Sequence, residues 1–302
     1  MFGLVFLAFI ALAASEFDHE IHEKFKTLPK HEFISYFNSL NHSWAVEDYG
    51  EDEHFYGAQL DSNHGLPTIT HDAIELPEYF DAREEWSHCK TIKEVNNQAQ
   101  CGSCFLFGAI NSASDRTCIH AGVHVHLAEQ EGDCIRPRES CKGGDPAKVV
   151  SFWVKNGLVS QECKPYDILA LYNDGCKEEC RNSSIEYSQD KHYAENAYKV
   201  HPTVEAISAE LIKNGPLVVG FTAFADFRKY RHGVYVHKFG DFIGYHAVRL
   251  IGFGIDENGD DYWLAANSWG KHWGEEGYVR IKRGQEALKL EDHVYGGLPK
   301  IS

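Results

Sequence analysis

Apolar and polar positions change rhythm several times along the 302 residues. Met1 to Ser15 is apolar almost throughout and ends on small-x-small triplets at Ala11-Leu12-Ala13 and Ala13-Ala14-Ser15. That form predicts a secretory leader over residues 1–15, although no Lys or Arg precedes the apolar run. From about Asp18 to Leu40 the apolar residues recur at helical spacing, whereas Tyr49 to Gly65 is acidic, glycine-containing and irregular. A boundary is expected near Leu76-Pro77. Beyond it, from about 76 to 200, the pattern is helical and broken by polar loops. Short β-type runs follow within about 201–302: Leu217 to Phe221, His246 to Ile251, Tyr262 to Ala266 and Tyr278 to Ile281. Asn258-Gly259, between the second and third of these, is a hairpin signal. A helical half followed by a β half predicts an α+β protein with its site in the cleft between them.

Composition narrows the class. Hydrophobic residues make up 43% and charged residues 25%, which excludes a disordered chain. Lys and Arg number 29 against 45 Asp and Glu, a net charge of −16, so the basic footprint of a nucleic-acid binder is missing. Mean hydropathy is −0.40, and past the N-terminal run no apolar stretch is long enough to span a membrane. The charge is uneven. Residues 16–75 hold 13 acidic and 3 basic residues, hence −10 of the −16, together with seven of the 18 histidines and no cysteine. All nine cysteines fall between Cys89 and Cys180. An odd count in an exported chain predicts paired cysteines plus one thiol left for chemistry, in an oxidising compartment.

One segment concentrates that chemistry: Gln98-Ala99-Gln100-Cys101-Gly102-Ser103-Cys104-Phe105. A helix is expected after Gly102-Ser103, with Phe107, Ile110, Ser114 and Cys118 at spacings of three or four and Ser103 as N-cap. Cys104 would then sit in the first turn, where the positive helix end favours thiolate over thiol. His246 is the candidate proton partner, Asn267 could orient its ring, and the Gln98 amide could donate to a developing oxyanion.

These residues resemble the papain-like cysteine peptidases, and among them cathepsin B. The signature of Cys101 to Phe105 is joined by Phe80-Asp81-Ala82-Arg83, Asp115-Arg116-x-Cys118-Ile119-His120, Cys141-x-Gly143-Gly144, Gln189 to Tyr193, Asn214-Gly215-Pro216, His246-Ala247, Asn267-Ser268-Trp269 and Trp273-Gly274. The resemblance is strong from about residue 76 onward and weak before it. It implies a papain-like two-domain fold, with a helical left domain, a β-barrel-like right domain and the active-site cleft between them. It also implies a zymogen, with residues 16–75 as propeptide and 76–302 as peptidase domain, bound for the lysosome or the cell exterior. Cys104, His246, Asn267 and Gln98 would be catalytic, and Trp269 and Trp273 would shield the His–Asn hydrogen bond. Gly143, Gly144, Pro146, Gly220, Ala247 and His293 would bind substrate. The implied disulfides are Cys89–Cys118, Cys101–Cys141, Cys134–Cys176 and Cys163–Cys180. Expected partners are polypeptide substrates, the chain's own propeptide as inhibitor and cystatin-like inhibitors, with no cofactor and no nucleic acid.

Departures from the family pattern matter for activity and specificity. Phe105 stands where the family has Trp, Tyr245 precedes His246 where cathepsin B has Gly, and Leu288-Lys289-Leu290-Glu291 replaces Cys-Gly-Ile-Glu. His293 occupies the place of a Glu that in some cathepsins B accepts Arg two residues before the scissile bond, so apolar residues are expected there. The stretch from Cys163 to Cys180 is shorter than the occluding loop of cathepsin B and contains no histidine, which predicts an endopeptidase. A second reading is a cathepsin B-like binding protein with weakened turnover, Phe105 and Tyr245 being its symptoms. Asn41-His42-Ser43 and Asn182-Ser183-Ser184 are glycosylation sequons. His120 and His124 have metal-ligand separation but no carboxylate between them, and no metal is assigned.

Overall fold

The computed structural model describes residues 17–50, 56–61, 64–72 and 74–301, so the leader expected at residues 1–15 lies outside them. The helical stretch before Leu40 divides into α1 (His19–Thr27) and α2 (Lys30–Ser39). Asp18 caps the first through the Glu20 and Ile21 amides, and Pro29, with no N–H to give, separates the two. There follow β1 (Trp44–Val46), β2 (Thr68–Ile69), β3 (Phe80–Asp81), α3 (Ala82–Glu85), α4 (Cys104–Ala121), α5 (Gly132–Ile135), α6 (Pro146–Asn156) and α7 (Ile168–Asn173). The rest comprises β4 (Ala194–Val200), α8 (Val204–Asn214), β5 (Leu217–Phe224), β6 (Tyr230–Tyr235), β7 (Phe242–Ile255), β8 (Asp261–Ala266), β9 (Tyr278–Lys282) and β10 (Val294–Pro299).

The four expected β-type runs lie in β5, β7, β8 and β9, and Gly259 takes φ +85° in the turn between β7 and β8. Two features differ from expectation. The sheet does not close into a barrel: among the described residues it runs as an open path, β1-β6-β9-β8-β7-β5-β10-β4-β2, with β3 alongside β7. Its outer positions are filled by β1 and β2, short strands from before residue 76. The first half is also not wholly helical, since β4 belongs to the sheet and pairs antiparallel with β10.

Helix α4 is buried on all sides from Cys104 to Cys118, packed between α6 and strands β5, β7 and β10. Two ion pairs tie it to its surroundings with no exposed partner: Arg249 Nη1 to Asp115 Oδ2 and Arg116 Nη1 to Glu210 Oε1, each at 2.9 Å. A buried charge is tolerable only with such pairing. Disulfides join Cys89 to Cys118, Cys101 to Cys141, Cys134 to Cys176 and Cys163 to Cys180, leaving Cys104 as the free thiol.

Candidate active site

The first residue of α4 is Cys104, fully buried. Ser103 occupies the N-cap position but makes no side-chain cap; its hydroxyl instead meets the Tyr166 hydroxyl at 2.8 Å. The helix end was expected to lower the thiol pKa. Burial dominates instead and pushes it up to about 11, although the amides of Ala247, Gly57, Phe105 and Ala58 pull the other way.

Strand β7 carries His246 opposite Phe221 and Ala247 opposite Gly220. Because the Ala247 amide reaches the Cys104 sulfur, β7 brings His246 to the N-terminal end of α4. His246 Nε2 lies 2.8 Å from Asn267 Oδ1. That oxygen also accepts the Ser268 N–H at 2.8 Å, which fixes it as an acceptor, so Nε2 carries the proton. Trp269 stacks on the imidazole at 4.7 Å between ring centres, and Trp273 meets Trp269 edge-on at 5.0 Å.

Gln98 is equally constrained. Its carboxamide oxygen accepts the Ser268 hydroxyl at 2.5 Å, and its NH2 end donates to the Cys101 carbonyl at 2.7 Å. The NH2 end therefore faces the turn that leads into Cys104.

A strand of the chain itself occupies the cleft. The Gly144 N–H donates to the Gly57 carbonyl at 2.7 Å, and the Gly144 carbonyl accepts from Gln59 N at 2.8 Å. On the other wall, Ala58 N donates to the Tyr245 carbonyl at 3.1 Å. Glycine is required at 143, where φ is +98° and a Cβ would lie 2.4 Å from the Gly57 oxygen. Leu60 fills the space left by Gly220, since a Cβ there would come within 2.3 Å of Leu60 Cδ2 and 3.6 Å of His293 Cβ. His293 Nδ1 lies 3.4 Å from the Tyr295 hydroxyl, and burial, then Lys199, lowers its pKa. Pro146 opens α6 directly after its cap Asp145, two residues beyond Gly144.

Tyr56, Leu60 and Arg228 escaped the reading of the sequence. The faint signal was two bulky apolar residues flanking Gly57-Ala58, small enough for close backbone approach. Elsewhere, Asn41 and Asn182 are both exposed. His120 Nε2 meets the Asn214 carbonyl at 3.1 Å, while His124 Nδ1 lies 3.3 Å from Cys118 Sγ.

Residues 76–298 match the model of the papain family cysteine proteases. The chain is 34% identical to cathepsin B-like cysteine proteinase 6 of Caenorhabditis elegans, over 94% of this chain and 87% of that protein. It is 37% identical to cathepsin B-like protease 1 of Arabidopsis thaliana, over 78% and 71%. Among solved structures, procathepsin B S9 from Trypanosoma congolense superposes with a TM-score of 0.82 at 30% identity, covering 90% of this chain and 99% of that one. The chain thus belongs to the papain family of cysteine proteases, with the cathepsin B-like members as its relatives.

Proposed function

We propose that the chain is a secreted or lysosomal cysteine endopeptidase held as a zymogen, with residues 1–15 as leader, 16–75 as propeptide and 76–302 as the enzyme. The observation that carries this reading is the strand from Tyr56 to Leu60, which lies across Cys104 and uses both walls of the cleft. A peptide substrate would replace it, taking the backbone contacts of Gly144 and the Tyr245 carbonyl and placing side chains near Gly220, Ala247, Pro146 and His293.

Loss of the propeptide removes the cover that keeps Cys104 protonated. His246 then takes the thiol proton, and the thiolate attacks the substrate carbonyl carbon. Negative charge gathers on the carbonyl oxygen, where the Gln98 NH2 group and the Cys104 backbone N–H receive it. His246 gives its proton to the leaving amine and afterwards activates the water that hydrolyses the thioester. Asn267 keeps the imidazole in the tautomer that leaves Nδ1 for this exchange. The α7 segment offers no paired imidazoles to a substrate carboxylate, which supports internal cleavage.

Oxidising export agrees with four disulfides in one chain. Asn41 and Asn182 are the glycan acceptors in this reading, and cystatin-like inhibitors would compete for the uncovered cleft. The test is Cys104→Ala, which should abolish peptide cleavage and labelling by an epoxide peptide probe. Cleavage by that variant, once its propeptide is removed, would sink the assignment.

A further inference from the structure

Away from the cleft, the last turn of α4 holds a second cluster of metal-ligating side chains. Cys118 lies about 21 Å along the helix axis from Cys104, at about 1.5 Å per residue. Its disulfide to Cys89 is buried, but the histidines beside it are exposed: His88 precedes Cys89, and His124 lies in the loop after Gly122. One ring nitrogen of His88 and the sulfurs of Cys89 and Cys118 all lie within 4.8 Å of one another. His124 Nδ1 is 3.3 Å from Cys118 Sγ, and the two imidazoles stand edge-on with ring centres 6.3 Å apart. Nothing in the peptidase mechanism uses these groups.

Two sulfurs and two imidazoles are a zinc ligand set once the sulfurs are thiolates. With Zn–S about 2.3 Å and Zn–N about 2.0 Å, neighbouring ligand atoms of a tetrahedral site lie about 3.3–3.8 Å apart. The contact of His124 with Cys118 already has that length. His88 has to close by about 1 Å, and it stands on an exposed turn. Gly122, at φ +68° with open space where a Cβ would be, lets the His124 loop follow. We propose that His88, Cys89, Cys118 and His124 form a redox-gated zinc site, closed as a disulfide in the oxidised chain and taking Zn2+ when a small thiol reduces that bond.

Two thiol molecules give two electrons to the Cys89–Cys118 bond and leave joined as their own disulfide, their protons passing to the two protein sulfurs. Zn2+ then displaces both protons, and the two thiolates balance its charge. The ion takes over the cross-link between α4 and the turn after α3. Such a replacement has a use here, because surroundings that keep Cys104 a free thiol also expose disulfides to exchange. His120 faces the Asn214 carbonyl and takes no part.

The test uses the full-length chain carrying Cys104→Ala, which removes the cleft thiol as a competing ligand. Tris(carboxyethyl)phosphine, which leaves as its oxide with oxygen from water, reduces the chain; Co2+ serves as the coloured probe, and Zn2+ competes it off. The expected spectrum has thiolate-to-cobalt charge-transfer bands and the intense visible bands of a tetrahedral ion, from a single Co2+ per chain. The unreduced chain, with only two imidazoles to offer, should bind at least about 100-fold more weakly. His88→Ala combined with His124→Ala, both at exposed positions, should weaken the reduced site by about 100-fold, since losing even a supporting partner of a ligand costs about 10–100-fold. The other reduced cysteine pairs do not use these histidines and give the same background in both chains. Zn2+ should raise the melting temperature of the reduced parent and not of the reduced double variant. If reduction without metal unfolds the chain, Zn2+ added before the phosphine should preserve the near-ultraviolet circular dichroism of the parent alone. Equal metal affinity or equal protection in parent and double variant, a spectrum without thiolate bands, equal binding by the unreduced chain, or a Cys89–Cys118 bond that resists the phosphine would overturn the site.

Discussion

At the first turn of α4 two effects compete for the Cys104 proton. The helix end and four backbone amides favour thiolate, while full burial favours thiol, and burial prevails with a pKa of about 11. Near pH 7 each unit above the ordinary value removes tenfold of the reactive anion. Alkylation of Cys104 by iodoacetamide at pH 7 should therefore be about 100-fold slower in the zymogen than in the processed enzyme. Comparable rates would show that the cover does not control the thiol. Cys104, His246, Asn267 and Gln98, far apart in sequence but singled out there because few residue types suit the proposed roles, come together at one place in the fold. The direction of the thiol shift was not legible in the sequence, since it depends on how completely the fold buries Cys104. Phe105 shows a third situation. Its ring packs where a Cβ on Gly144 would come within 2.4 Å, so it keeps the apolar support of the substrate-backbone loop without an indole N–H.

Elements were legible in proportion to how much of their partner lies nearby in sequence. Strands β7 and β8 are joined by Asn258-Gly259 and announce themselves, whereas β1 and β2 are two or three residues long and exist only by pairing with β6 and β4. Helix α2 and β1 form an aromatic dock in which Phe33, Phe37 and Trp44 surround Phe239, with ring centres 4.8, 5.2 and 6.1 Å from it. Phe37→Ala should cost this dock about 3–5 kcal/mol. The variant zymogen should then react with an active-site probe at pH 7, and continued latency would show that the cleft strand alone suffices for inhibition. The stretch from Cys163 to Cys180, which holds α7, contains no histidine, unlike the loop that the cathepsin B resemblance associates with C-terminal trimming. The one cation of that segment before Cys176, Lys164, is buried and bound to Asp133 at 2.6 Å and to the Lys177 carbonyl at 3.0 Å, so it cannot turn to a substrate carboxylate. Matched peptides with free and amidated C-termini should be cut at equal rates and at internal bonds. Stepwise dipeptide release, lost on amidation, would contradict this account of α7.

Across the whole molecule, residues 16–75 carry −10 and seven histidines onto a body that carries −6. Like charge on both parts opposes their association, so the contacts that hold the propeptide have to be local and largely apolar. Two of its histidines make those contacts sensitive to acid. His42 packs against Phe37 at 4.8 Å, its Nε2 is buried without a hydrogen-bond partner among the described residues, and burial, followed by Lys238, lowers its pKa. His64 lies edge-on to Tyr295 at 5.1 Å and accepts the Leu66 N–H on Nδ1; burial and then Lys199 lower its pKa as well. A histidine whose pKa is lower when docked than when free takes up its proton more readily on release. Docking is therefore unaffected above about pH 6.5 and weakens as pH falls below that value. Self-processing near residue 76 should run faster at pH 5 than at pH 7. Replacing His42 and His64 by Gln, which cannot charge in this range, should bring the two rates closer together without abolishing processing. If the double variant keeps the full difference between pH 5 and pH 7, the acid response belongs to the catalytic centre and not to the propeptide.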